Sequence, residues 1–124
     1  DLKIPEGPGC YYPPTLLTDV DRYMAINQQE TFGPVASVIV VGSEEDALAV
    51  ANDSLFGLAA SVWTETPEKA QTFIAKLEAG SVFVNEMAKS DPRLPFGGIK
   101  NSGYGRELSE EGIREFVNTR LESR

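Results

Sequence analysis

Apolar and polar positions along this chain follow two periods, and the switches between them mark out its elements. Val35 to Val41 is a near-continuous β-branched run, which predicts a strand covered on both faces and therefore a parallel sheet. Ser43 follows as an N-cap. Glu44, Glu45 and Asp46 occupy the first turn, where the helix dipole favours negative charge, and Leu48 and Ala51 are the inward positions of a helix running to about Asn52. The Asn52-Asp53-Ser54 cluster ends that helix, and Leu58 to Trp63 reads as a second strand. Thr66-Pro67 opens a second helix, with the cap hydroxyl followed by a proline whose missing N–H costs nothing at the first helical position. Its apolar stripe is Ala70, Phe73, Ile74 and Leu77, and Gly80 is the expected positive-φ stop. Ser81 to Asn85 is a third strand. Strands separated by helices of this length are joined by right-handed parallel crossovers, so the fold class is α/β with a parallel βαβαβ core.

The flanks are less regular. Residues 5 to 14 hold four prolines and two glycines around Cys10, Tyr11 and Tyr12, which suits an irregular entry because proline cannot donate to a sheet ladder. Thr15 to Asp19 is a short strand candidate and Arg22 to Gln28 a short helix, closed by the Gly33-Pro34 turn. Glu86 to Gly105 is glycine-rich without apolar periodicity, so a long loop is expected there, the kind that carries function beside a parallel sheet. Ser109 is placed to cap a last helix with Ile113, Phe116 and Val117 on one side, and 118–124 reads as a final polar strand.

Composition narrows the function classes. The 124 residues, 41% of them hydrophobic, suit one globular domain or one piece of a domain. A net charge of −8 repels a nucleic-acid backbone on average, and the apolar run from Val35 is far too short to span a bilayer. A soluble, cytoplasmic protein without nucleic-acid or membrane partners is expected. The first residue is Asp1 rather than Met, so an excised product is expected as well. With one cysteine and no histidine, no internal disulfide, Cys/His metal site or Ser-His-Asp couple can be assembled, and no metal is expected.

Cys10 sits in the proline-rich entry with Glu6 nearby and no Lys, Arg or His within four residues, which argues against a stabilised thiolate and a nucleophilic role. Asn85, at a strand end, has a structural default reading, its amide satisfying loop backbone groups. The glycines of Phe96-Gly97-Gly98 and Gly103-Tyr104-Gly105 invite a phosphate cradle, but no strand immediately precedes them in the dinucleotide-fingerprint arrangement, which favours a structural turn. For Arg93 the default is an ordinary local pair with Asp91.

Two segments carry more. Glu30-Thr31-Phe32-Gly33-Pro34-Val35 supplies a carboxylate able to accept two hydrogen bonds from a ribose diol and an aromatic ring two residues on. Pro95-Phe96-Gly97-Gly98 runs on to Asn101-Ser102-Gly103-Tyr104-Gly105-Arg106-Glu107-Leu108. Together these resemble the carboxy-terminal part of the NAD(P)-dependent aldehyde dehydrogenases, and Lys89-Ser90-Asp91-Pro92-Arg93-Leu94 is similar to their succinate-semialdehyde dehydrogenase branch.

The resemblance implies that Glu30 and Phe32 touch the nicotinamide ribose of NAD or NADP, that Phe96 lines the channel to the reactive aldehyde, and that Ser90 helps hold the far carboxylate of the substrate. It implies residues 1–117 as the carboxy-terminal part of the catalytic domain and 118–124 as a candidate remnant of the oligomerisation strand. In such enzymes a cysteine thiolate attacks the aldehyde, hydride passes to NAD(P)+, and a glutamate-activated water hydrolyses the thioester. That cysteine and glutamate lie farther upstream of the Glu-x-Phe-Gly-Pro motif than the 29 residues preceding Glu30 here. No catalytic residue is therefore expected in this chain, which is inactive alone and associates with itself or with the missing amino-terminal portion. A non-catalytic interaction module assembling with a complementary chain is the alternative reading.

Overall fold

A computed structural model describes residues 6–124. The chain divides into two compact units, one reaching to Ser54 and the other running from Leu55 to Arg124.

In the first unit β1 (Thr15–Leu17) pairs in parallel with β2 (Val35–Ser37), Thr15 opposite Val35 and Leu17 opposite Ser37. The ladder is only as long as β1. It continues by one bond, from Val38 N–H to the Leu17 carbonyl, and the β-branched run then leaves it. The expected cover on both faces is not supplied among the described residues, where Val38 and Val41 are exposed and Val40 is 89% exposed. Between the strands lies α1 (Ala25–Gln28), shorter than the predicted helix because Asp21 turns the chain first, its Oδ1 accepting the Tyr23 N–H at 2.8 Å. After β2, α2 (Glu44–Asn52) begins as its sequence predicts, the Ser43 Oγ accepting the Asp46 N–H at 3.0 Å with three acidic residues in the first turn. Leu48 is its buried residue, whereas Ala51 is exposed. Arg22 ties α2 back to the segment before α1 through Asp53, 2.7 Å away.

The second unit contains a βαβ crossover. β4 (Ala59–Val62) and β5 (Ser81–Val84) are parallel and in register along their whole length, joined by α3 (Pro67–Lys76). Pro67 stands in the first turn as expected, but the Thr66 side chain makes no cap bond, its place in the turn being fixed by its N–H donating to Thr64 Oγ1. Within the predicted stripe Ala70 is buried, Phe73 and Leu77 are half-buried and Ile74 is exposed. Gly80 does not stop this helix. The helix ends at Leu77, whose extended backbone breaks the pattern three residues earlier, and Gly80 is not at positive φ.

Ahead of β4, β3 (Phe56–Gly57) pairs antiparallel with β6 (Ile99–Lys100), and Phe96 forms an isolated bridge with Glu107. The long segment expected to be a loop is therefore partly a hairpin-like return, a pairing between residues more than 40 apart that local patterning cannot announce. The last helix, α4 (Ser109–Arg114), has Leu108 at its N-cap position at φ 64° without a side-chain cap bond, with Ser109 inside the helix and its hydroxyl bonded to Glu111. Residues 118–124 are exposed and form no strand.

Burial is sparse. Val20, Leu48 and Ala70 are the buried apolar side chains among the described residues, while Tyr23, Val40, Phe116 and Leu121 are each at least 86% exposed.

Candidate active site

The Glu30 to Pro34 segment is a turn feeding β2. Val35 N–H bonds the Gly33 carbonyl at 2.7 Å, and the Pro34 carbonyl accepts the Thr15 N–H at 2.8 Å, so the turn is tied to the start of both strands. Phe32 stands at φ 49° with its ring 91% exposed, and Glu30 is exposed beside it. A bulky residue at positive φ is a local strain, and an aromatic ring left in water forgoes its main source of stabilisation. Both features leave the ring and the carboxylate open to solvent on this turn.

The second group of predicted residues lies in the second unit. β5 ends at Asn85, φ 53°, whose side chain satisfies both backbone groups of Thr64, accepting its N–H and donating to its carbonyl at 2.8 Å each. Asn85 is thus the structural clamp that its position suggested, closing the ends of β4 and β5. The following loop folds over a cavity of about 370 Å³ walled by Val82, Leu94, Pro95 and Phe96, with Glu86, Lys89 and Asp91 on its polar side. Phe96 is on this wall and also on that of a second cavity of about 410 Å³ that includes Arg106, Glu107 and Phe116. Ser90 is exposed and is not on either wall, although both its neighbours are on the first.

Arg93 forms the local pair that was its default. Its Nε and Nη2 reach the two oxygens of Asp91 at 2.9 and 2.6 Å, and its N–H adds a third bond to the same carboxylate at 2.9 Å. Those bonds from Arg93 hold the Asp91 carboxyl down at about 2. Lys89 pairs with Glu86, and the hydrogen bond and charge of that carboxylate raise the ammonium above its ordinary value.

Glycines of the Phe96 segment make close backbone approaches. A Cβ on Gly80 would lie 1.8 Å from the Gly97 carbonyl oxygen, one on Gly97 2.6 Å from that of Gly105, and one on Gly98 2.4 Å from the Ser102 Cβ. These glycines pack the backbone, as the structural-turn reading holds, and no phosphate cradle is needed to account for them. Arg106 fixes the arrangement, its Nη1 donating to the carbonyls of Gly98 at 2.9 Å and Gly105 at 2.7 Å. Ser102 accepts the Gly57 N–H at 2.9 Å, joining the turn after β6 to β3. Arg106 and Lys89 were not singled out by sequence reasoning, because what they touch is set by the return of the chain. Among the described residues no group of three or more His, Cys, Asp and Glu is placed to hold a metal ion, and no helix is long and apolar enough to cross a membrane. Cys10 is exposed.

A parallel βαβ unit followed by a glycine-packed loop with an aromatic-walled cavity is an α/β arrangement. Residues 3–121 match the aldehyde dehydrogenase family, and the chain belongs to that family. It is 59% identical over 115 residues to a probable NADP+ succinate-semialdehyde dehydrogenase of Synechocystis sp., covering 93% of this chain and 25% of that protein. It is 52% identical over 116 residues to the NADP+ succinate-semialdehyde dehydrogenase of Mycobacterium leprae, covering 94% and 25%. The crystal structure of betaine aldehyde dehydrogenase from Staphylococcus aureus in complex with NAD+ superposes with a TM-score of 0.84 at 42% identity, over 87% of this chain and 21% of that one. An oxidoreductase from Marinobacter aquaeolei gives 0.85 at 43% identity, over 91% and 24%. The chain spans about a quarter of the length of the curated relatives it matches.

Proposed function

We propose that this chain is the carboxy-terminal part of an enzyme that oxidises succinate semialdehyde to the carboxylic acid with NAD(P)+, and that it is inactive alone. The observation that carries this reading is the likeness to succinate-semialdehyde dehydrogenases along nearly the whole chain. In the intact enzyme Glu30 accepts hydrogen bonds from the nicotinamide ribose, and Phe32 lays its exposed ring against the sugar or nicotinamide. The bound cofactor supplies the hydride acceptor. Phe96 forms an apolar wall that keeps water from the aldehyde carbon, and Ser90 donates its hydroxyl to the far carboxylate of the substrate. The nucleophilic cysteine and the general-base glutamate belong to the rest of the polypeptide.

The test is direct. Purified 124-residue chain should yield no aldehyde-dependent NAD(P)H, whereas its combination with the complementary amino-terminal portion should restore oxidation with succinate semialdehyde preferred over butanal. NAD(P)H formation by the chain alone, or a restored enzyme indifferent to the carboxylate, would refute the reading.

A second reading, a non-catalytic module assembling with a partner chain, draws on the exposed apolar residues such as Tyr23, Val40 and Leu121. The same residues favour self-association or association with the amino-terminal portion. Co-purification without recovered activity would favour the module.

A further inference from the structure

The polar side of the Phe96 cavity contains more charge than one substrate hydroxyl contact requires. Glu86, Lys89 and Asp91 all reach it, yet they are not equivalent. Asp91 is occupied by Arg93, whose guanidinium is bonded to both carboxylate oxygens and is otherwise in solvent, 85% exposed. Arg93 is therefore committed to the loop and is turned away from service as an anion anchor. Among the described residues Lys89 is the one cation on the wall, and its partner Glu86 holds it through a single short-range pair, side chains 63% and 49% exposed. A pair this exposed is weakly coupled, so an incoming carboxylate can replace Glu86 at the ammonium with little loss.

From this geometry we infer that Lys89 is a specificity-determining residue, its Nζ exchanging Glu86 for the far carboxylate of an ω-carboxy aldehyde whose methylene chain lies along Leu94, Pro95 and Phe96. The inference rests on the proposed reading of the enzyme as acting on succinate semialdehyde. Lys89 then supplies the charge at this wall, which Ser90 does not line. Glu86 acts in the opposite sense: it is a resident anion that keeps Lys89 on the cavity when substrate is absent and competes with substrate when it is present. An aldehyde lacking the carboxylate cannot displace Glu86 and gains nothing from the ammonium.

The opposed roles of Lys89 and Glu86 give the test its power. In the intact dehydrogenase, kcat/KM is measured for succinate semialdehyde and for butanal, which has the same chain length and no charge. Lys89→Met should lower the value for succinate semialdehyde roughly tenfold, mainly through KM, as expected on removing a charge-assisted contact, while butanal changes by less than about twofold. Lys89→Arg should retain most of the preference. Glu86→Gln should lower KM for succinate semialdehyde. If the pair were only a loop brace, Lys89→Met and Glu86→Gln would shift both substrates together and in the same direction, and the inference would be overturned. A wild-type enzyme without preference for succinate semialdehyde would overturn the functional reading itself, whereas a preference that survives Lys89→Met would overturn the role of Lys89 alone.

Discussion

The Glu30 to Pro34 turn and the Glu86 to Glu107 segment serve the same proposed reaction and are built in opposite ways. The first is joined to its own unit by backbone bonds at Thr15 and Val35 and leaves Phe32 almost wholly in solvent. The second is braced throughout: Asn85 closes on Thr64, Phe96 exchanges two backbone bonds with Glu107, Arg106 bonds two carbonyls, and Gly80 and Gly97 bring two backbones together. The difference teaches that a pocket wall must hold its own geometry, whereas a turn presenting groups to a ligand can stay exposed because the ligand completes its packing.

The comparison breaks most sharply at glycine. Gly80→Ala forces a methyl group into the Gly97 carbonyl and should destabilise the second unit by roughly 3 kcal/mol or more, while Gly33→Ala, whose nearest neighbour would be the Thr31 carbonyl at 3.7 Å, should cost less than about 0.5 kcal/mol. Urea unfolding followed by Trp63 fluorescence checks the first, and a fall no larger than that of Gly33→Ala would mean the close approach is absent. Next in size is Asn85→Ala, which removes both Thr64 bonds and places a residue less tolerant of φ 53° at the strand end, for an expected loss of about 2 kcal/mol. Faster amide exchange at Thr64 should accompany it.

Phe32→Ala should behave in the reverse fashion. Stability should stay within about 0.5 kcal/mol of wild type because the ring is in solvent, but NAD(P)+ affinity of the intact enzyme, measured by titration calorimetry, should fall about tenfold. A stability loss with unchanged affinity would show the ring packing against protein instead.

The smallest effect is pH-dependent. Asp91 has a carboxyl depressed by Arg93 to about 2, below its ordinary 3.8, so the clamp contributes fully above pH 4 and is lost as pH falls through about 2. Carboxyl titration by carbon-13 NMR should give a midpoint near 2 for Asp91 and move upward, toward the ordinary range, in Arg93→Gln, where the side-chain bonds are lost and the backbone N–H bond stays.

Local signals in the sequence were faithful where the structure they specify is itself local. Ser43 caps α2, Pro67 opens α3, the 59–62 and 81–84 strands pair in parallel, Asn85 closes a strand end, and Arg93 pairs with Asp91, each within a few residues of its predicted place. The two motifs likewise sufficed to place the chain in its family. What failed depended on residues far along the chain. The Val35 run was expected to be a longer covered strand, but β1 offers only three residues of ladder. Gly80 was expected to stop a helix by its φ, and it is instead the point where Gly97 comes closest. Ser109 was expected to cap α4, but it lies inside the helix, and Leu108 stands at the N-cap position at positive φ without a side-chain cap bond, next to the Glu107 bridge.

Sequence by itself determined the α/β class, the starts of α2 and α3 and, through its two motifs, the family, because capping and proline geometry act over a single turn and the motifs are contiguous in the chain. Only the tertiary structure decided that Phe96 walls two cavities, that Lys89 rather than Ser90 lines the polar side of one, and that Arg106 fixes the glycine turn. Those roles arise from contacts made when β6 returns to β3 and Glu107 to Phe96, and which side chain faces a cavity depends on where that return places the backbone rather than on the residue's neighbours in sequence.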